Sequence, residues 1–326
     1  TGLALSHDGR FAYTAAGQAR ALGIFKRDLE SGQLTLVDSV KGPEVQLPSR
    51  VRVSSDDKYV TFADSRAKTA TIFKRDAESG ALTKLASASE ELNGVTDAKL
   101  SLDDHFLYTA SLAGLSVFKF DDGKLSLIQS ERAEDGLQGL RPLVISPDGH
   151  WLYTVAETSG TLGVFRRDAG TGKIEVLQTL SNGQDGVTTL AGAFRIALSN
   201  DGKNIYVSAG RNQGDRAITG FEVQPDGRLK LLQNFVNGVD DFDQFEGGNE
   251  ITVSPDDKWV FVAASVSDRF FRFRRDPTTG KLTYVTSQQA GTFRTGGAAG
   301  IRFSPDGKFV YIADQAEGAI EVYKMP

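Results

Sequence analysis

The amino-acid sequence predicts an all-β fold, a seven-bladed β-propeller of four-stranded antiparallel blades, and three observations carry that expectation. A hairpin signature recurs seven times, its serine at Ser6, Ser54, Ser101, Ser146, Ser199, Ser254 and Ser304. Successive serines stand 48, 47, 45, 53, 55 and 50 residues apart, the period of a propeller blade rather than of a helical or leucine-rich solenoid. Between the signatures lie short apolar runs with strand chemistry instead of the 3.6-residue periodicity of helices. The repeat runs from the first residues to the last, so residues 1–326 read as one closed domain although their length alone would suggest about two.

The clearest copy is Ile145 to Val155, an apolar strand end, Ser146-Pro147-Asp148-Gly149, and a second strand. Pro147 presets the φ of the turn and Gly149 tolerates a positive one, which folds the two runs back on each other. In the first unit the strands read as Leu3–Leu5, Phe11–Ala15, Leu22–Lys26 and Leu34–Val37. A second recurrent turn joins third to fourth strand: Phe25-Lys26-Arg27-Asp28 with Ser31-Gly32. It returns at Phe73–Asp76, Phe165–Asp168 and Phe273–Asp276, each followed by a Ser-Gly or Thr-Gly pair. Altered copies stand at Phe118–Gly123 and Phe221–Gly227. Asp and Gly in these turns serve backbone geometry.

First strands alternate apolar residues at period two, as in Val51/Val53, Leu143/Ile145 and Ile301/Phe303, the pattern of a face that packs blade on blade. Second strands such as Trp259–Ala263 and Phe309–Ala313 are continuous apolar runs, as expected of sheets covered on both faces. The chain opens on a first strand and ends on a third, Ile320–Lys324, so the last blade lacks its outer strand in this chain. Residues upstream of Thr1 are expected to supply that strand, with a three-stranded last blade as the rival.

With 37 basic and 42 acidic residues the formal charge is −5 and no long block of one sign occurs, which argues against nucleic acid as a main partner. Cysteine is absent, which excludes disulfides, thiolate metal sites and cysteine nucleophiles. No apolar run approaches the ~18 residues of a spanning helix, so no membrane span is expected in this chain.

Both motif turns fall on one face of the disc, leaving the second-to-third and fourth-to-first loops around the channel mouth on the other. A site built from several loops on a rigid scaffold belongs there. Four residues before each motif serine stand Gly2, Arg50, Asp97, Pro142, Arg195, Glu250 and Gly300; two residues later come Ala4, Arg52, Lys99, Val144, Ala197, Thr252 and Arg302. This ring of both charges either lines a water-filled channel and pairs internally, or binds a small anionic or polyhydroxylated ligand through Arg50, Arg52, Asp97, Arg195, Glu250 and Arg302. Guanidinium forks suit carboxylates and phosphates.

The loops add Asp64, Arg66, Glu157, Arg211, Asp215, Arg216 and Asp314. For a hydrolytic reaction the candidate catalytic residues are Glu157, Arg195, Arg211 and Glu250, with arginine polarising a carbonyl and a carboxylate activating water. His7, His105 and His150 fall in or beside the first hairpin turn, on the opposite face. Asp240, Asp241, Asp243 and Glu246 are dense enough in carboxylates to suggest a calcium site, although the Asp-x-Asp-x-Asp-Gly order of a calcium loop is missing. No other cofactor is implied. Phe242, Phe245, Phe194 and Phe293 would form an apolar contact patch for a partner or plug the channel mouth.

Together, the Ser-Pro-Asp-Gly-Lys-x-Val-Tyr hairpins and the Phe-x-Arg-Asp-x-x-Thr-Gly-x-Leu turns resemble the seven-bladed lactonase-like propellers, a family that includes the propeller-type 6-phosphogluconolactonases. The resemblance covers essentially the whole chain. It implies, for the enzymatic branch, a Pro-His-x-His segment and an Asn-Arg-Gly loop. Here the first has no counterpart, and the second survives in part as Ser208-Ala209-Gly210-Arg211-Asn212-Gln213-Gly214. The leading expectation is therefore a binding module whose loop face takes a small anionic or sugar-like ligand or a protein partner; the alternative is a hydrolase opening a sugar-type lactone. The resemblance and the non-Met start suggest a periplasmic or secreted protein.

Overall fold

The computed structural model describes residues 2–17, 19–43, 45–132, 136–210, 214–289, 297–314 and 318–325. They form six four-stranded antiparallel sheets and a last sheet of three, each a simple meander in sequence order. The inner strands of blades 1 to 7 are Gly2–Leu5, Pro48–Val53, Val95–Leu100, Leu140–Ile145, Ala193–Leu198, Gly248–Val253 and Ala298–Phe303. The last blade ends on Ala319–Lys324, whose outer edge has no partner strand among the described residues. In those residues no helix is long and apolar enough to cross a membrane.

Each hairpin is closed by side chains as well as by the ladder. Ser146 Oγ donates to Asp148 Oδ1 and accepts the Trp151 amide at 2.9 Å, while the His150 amide reaches the same Asp148 oxygen at 3.0 Å. The third residue after the serine has positive φ in all seven copies; Gly fills it four times and Asp57, Asp104 and Asp257 three times. Two of these aspartates recover the conformational cost by accepting amides of the preceding blade's turn. Asp57 binds the amides of His7 and Asp8, and Asp257 those of Asn200 and Asp201.

The Phe-x-Arg-Asp turn carries more than backbone geometry. Its arginine is buried and clasps the preceding blade: the Nε atoms of Arg75, Arg167 and Arg275 donate to the hydroxyls of Tyr13, Tyr108 and Tyr206 at 2.9, 2.6 and 2.9 Å. Their outer nitrogens reach Asp8, Asp103 and Asp201, the hairpin aspartates of those same blades. Arg27 makes the same contacts with Tyr311 at 2.6 Å and Asp306 at 3.0 Å, and so ties blade 1 to blade 7 across the ring closure. Charge-assisted bonds to a buried hydroxyl and a carboxylate are the stronger kind.

Three seams lack the arginine, with Phe120, Val223 or Met325 in its place. There the residue after the preceding hairpin is a larger aromatic, Tyr59, Trp151 or Trp259, where the four clasped seams have Phe11, Phe106, Phe309 or Asn204. Tyr59 meets Phe120 edge-on at 5.5 Å, and Trp151 and Val223 pack against one core cluster. A bigger ring fills the volume the arginine vacates, as close packing requires.

Candidate functional site

Six of the seven inner strands carry a β-bulge at the loop-face end, where the register against the second strand shifts between Pro48 and Arg50, at Thr96, between Leu140 and Leu143, between Ala193 and Arg195, between Gly248 and Glu250, and between Ala298 and Gly300. A bulge leaves one residue out of the ladder and re-aims its side chain. Ser49, Thr96, Arg141, Phe194 and Asn249 stand at these bulges, five residues before their motif serines, and all line a cavity of about 370 Å³ at the channel mouth. Counting four back from each serine misses this set by one position. Arg141 is its one formally charged member, and Pro142 inside a strand is the sequence signal that a bulge lies there.

Phe194 is buried and forms a floor for two arginines: the guanidinium carbons of Arg195 and Arg141 stand 3.9 and 4.9 Å from its ring centroid. Arg141 Nε donates to Glu157 Oε2 at 2.7 Å, and its Nη2 reaches the same oxygen. Arg195 donates to the Phe194 carbonyl at 3.0 Å and reaches Glu250 Oε2 at 3.4 Å. Two cations and the side chains of Ser49 and Thr96 thus line the mouth, with Glu157 held behind Arg141.

Below the mouth the predicted charges pair with one another. Arg50 holds Glu250 by two parallel bonds of 2.7 and 2.9 Å, and Arg302 adds a third at 2.9 Å. Burial alone would raise the Glu250 pKa, but the guanidiniums of Arg302, Arg50 and Arg195 outweigh it and hold the carboxyl far below the usual range. Asp97 accepts two bonds from Arg52 and the amides of Ala98 and Leu143 at 3.0 and 3.1 Å. It too stays ionised against burial, through Arg52, Arg50 and the Leu143 amide. The structure brings Arg50, Asp97, Arg52, Glu250, Arg195 and Arg302 into one network of ion pairs. Six cations, counting Lys99 and Arg141, stand against three carboxylates.

Other sequence-derived candidates sit elsewhere. Asp64 is buried and accepts the amides of Gln46, Leu47, Arg66 and Ala67, which pins the loop between blades 1 and 2. Asp215 accepts the Ala191 amide at 2.6 Å, and Arg216 pairs with Glu246 at 2.7 Å. Asp240, Asp241 and Asp243 are exposed, and no group of three or more acidic or histidine side chains gathers around one point among the described residues. Phe242 and Phe245 form neither a surface patch nor a plug. Both are buried, and Phe242 packs against Phe235, Phe271, Phe273 and Tyr284 at 5.5 to 5.9 Å, because a four-to-one connection must fill the wedge between diverging blades. His7 bonds Asp57 at 2.9 Å on the turn face, where His105 and His150 are also exposed. Arg211 and Phe293 lie outside the described residues.

Comparison with known proteins bears on the fold and the family. A protein from Lactobacillus plantarum is 25% identical over 89% of this chain and 84% of its own, with a TM-score of 0.74. The periplasmic gluconolactonase PpgL of Pseudomonas aeruginosa is 22% identical over 89% of this chain and 85% of its own, with a TM-score of 0.73. The Cps50 propeller domain of Myceliophteria thermophila reaches 0.75 at 16% identity, over 100% of this chain and 98% of its own, so likeness of backbone at this level speaks for the fold alone. No curated protein sequence matches the chain. The family described as "Lactonase, 7-bladed beta-propeller" matches residues 1–96 and 97–292, and the chain belongs to that family.

Proposed function

We propose that the protein hydrolyses a sugar-type lactone at the loop-face mouth of the channel. The observation that carries this reading is the convergence of Arg141 and Arg195 on Phe194 beside the Glu157 carboxylate, at the wall of a cavity sized for one small ligand. In the reaction, water adds to the lactone carbonyl and the developing oxyanion is stabilised by the two guanidiniums. Glu157 takes the proton from the attacking water and returns it to the ring oxygen as the C–O bond breaks, giving the open hydroxy acid. Asn249, and the Ser49 and Thr96 hydroxyl oxygens, whose protons go to backbone carbonyls, supply groups that a polyhydroxylated substrate can bond. The membership of a lactonase family and the likeness to a gluconolactonase support the choice of substrate class.

A second reading, a binding module, is favoured by one observation: each wall carboxylate is already held by arginine. Acid release from gluconolactone and 6-phosphogluconolactone separates the two. Turnover above buffer that falls about 10²- to 10³-fold in Arg195→Ala supports the hydrolase. Rates equal to buffer, with the ligand still bound, support the module.

A further inference from the structure

At the other end of the channel, Lys99 on the inner strand of blade 3 lines a cavity of about 130 Å³ with Arg52, Ser54, Ser55, Thr61 and His7. This cavity shares only Arg52 with the wall network and no residue with the loop-face mouth. The Lys99 ammonium has no hydrogen bond or ion pair among the described residues. The carboxylate that attracts it, Asp97, is already taken by Arg52, Arg50 and the amides of Ala98 and Leu143. Burial first, then Arg52, Arg302 and Arg50, lower the Lys99 pKa to about 8 against the pull of Asp97, so the amine is still mostly charged at pH 7. A partly buried ammonium that shares its cavity with the Arg52 guanidinium and has no ion pair of its own is costly, and a bound anion relieves that cost.

We propose that the turn-face end of the channel is a separate anion site, in which Lys99 and Arg52, with the hydroxyls of Ser54 and Ser55, hold a free tetrahedral oxyanion such as inorganic phosphate. The cavity equals the liquid volume of about four waters, which suits such an ion. The proposal does not depend on lactone turnover at the mouth.

The test is calorimetric titration of inorganic phosphate into the full chain at pH 7 and matched ionic strength, with melting followed in parallel. One site per chain is expected, with a rise in Tm that grows with phosphate concentration. Lys99→Met should weaken binding at least tenfold while melting above the parent in phosphate-free buffer, since it removes an uncompensated charge. Lys99→Arg should keep the site, and Arg141→Ala at the opposite mouth should leave it unchanged. Absence of phosphate binding, equal affinity in Lys99→Met, or loss of binding in Arg141→Ala would overturn the proposal.

Discussion

The turn face and the channel wall use the same residue types for opposite ends. On the turn face, Arg27, Arg75, Arg167 and Arg275 each meet a tyrosine and a hairpin aspartate, one carboxylate to one guanidinium, in a repeated geometry. On the wall, Arg50, Arg195 and Arg302 crowd one Glu250, and Arg141, Lys99 and Arg52 occur in single blades. Repetition with balanced charge is what seams between blades need. Singular residues with excess positive charge are what a ligand needs, and the difference teaches where to look for chemistry in a repeat protein.

The wall should break hardest. Glu250→Gln leaves three buried or half-buried guanidiniums without their carboxylate and should cost about 3–5 kcal/mol in chemical denaturation. Its pH dependence carries a sign. The folded-state pKa lies below the unfolded one, so the Glu250 contribution is present above about pH 5 and is lost as pH falls. Glu250→Gln should therefore flatten the acid limb of the stability profile.

A seam should break less, and can be rebuilt. Arg27→Ala removes the bond that the Tyr311 hydroxyl accepts and the guanidinium partner of Asp306 at the ring closure, and should cost about 2 kcal/mol. In the seam between blades 4 and 5, Tyr153 and Asp148 stand in place and Val223 replaces the arginine, with Trp151 in its room. Val223→Arg combined with Trp151→Phe should restore the clasp and gain about 1 kcal/mol. Val223→Arg alone should gain nothing, because the indole occupies the space. Equal melting of single and double variants would contradict the volume argument.

The smallest effect comes from a seam where the pattern fails. Blade 3 has Phe120 instead of arginine, so Asp56 has no guanidinium and Asp104 faces it, with a buried Oδ1 that finds no partner. Burial, then Asp56, push the Asp104 pKa up to about 7. The folded state holds a proton that the unfolded state has released between about pH 4 and 7, so this group's contribution to stability falls as pH rises through that window. Asp104 is only half-buried, so solvent screens most of this shift, and Asp104→Asn should be more stable than the parent at pH 8 by about 1 kcal/mol and indistinguishable near pH 4.

Much of this was legible in the chain. The serine ruler located all seven inner strands, because turn chemistry is local and the hairpin needs Ser, Asp and a positive-φ residue at fixed offsets. It also found the wall charges, since alternation along a regular strand preserves face. At the mouth it found Arg195 but missed the residues at the bulges, which shift register by one and bring Arg141 rather than Pro142 into the cavity. It read the second motif through its Asp and Gly and passed over its arginine, whose partners lie one blade away and are invisible to local spacing. Phe242 and Phe245 misled because an aromatic in a polar loop looks like a contact surface until the wedge it fills is known.

The central claim is that chemistry sits at the loop-face mouth and the turn face is scaffold. The most direct measurement is lactone hydrolysis at 20 °C by Arg141→Ala and Glu157→Gln beside Arg27→Ala, each with its melting curve. The account predicts that the two mouth variants lose about 10²-fold or more in kcat/KM and still fold, while Arg27→Ala melts lower and keeps full turnover. Turnover lost in Arg27→Ala while still folded, or retained in both mouth variants, would contradict it.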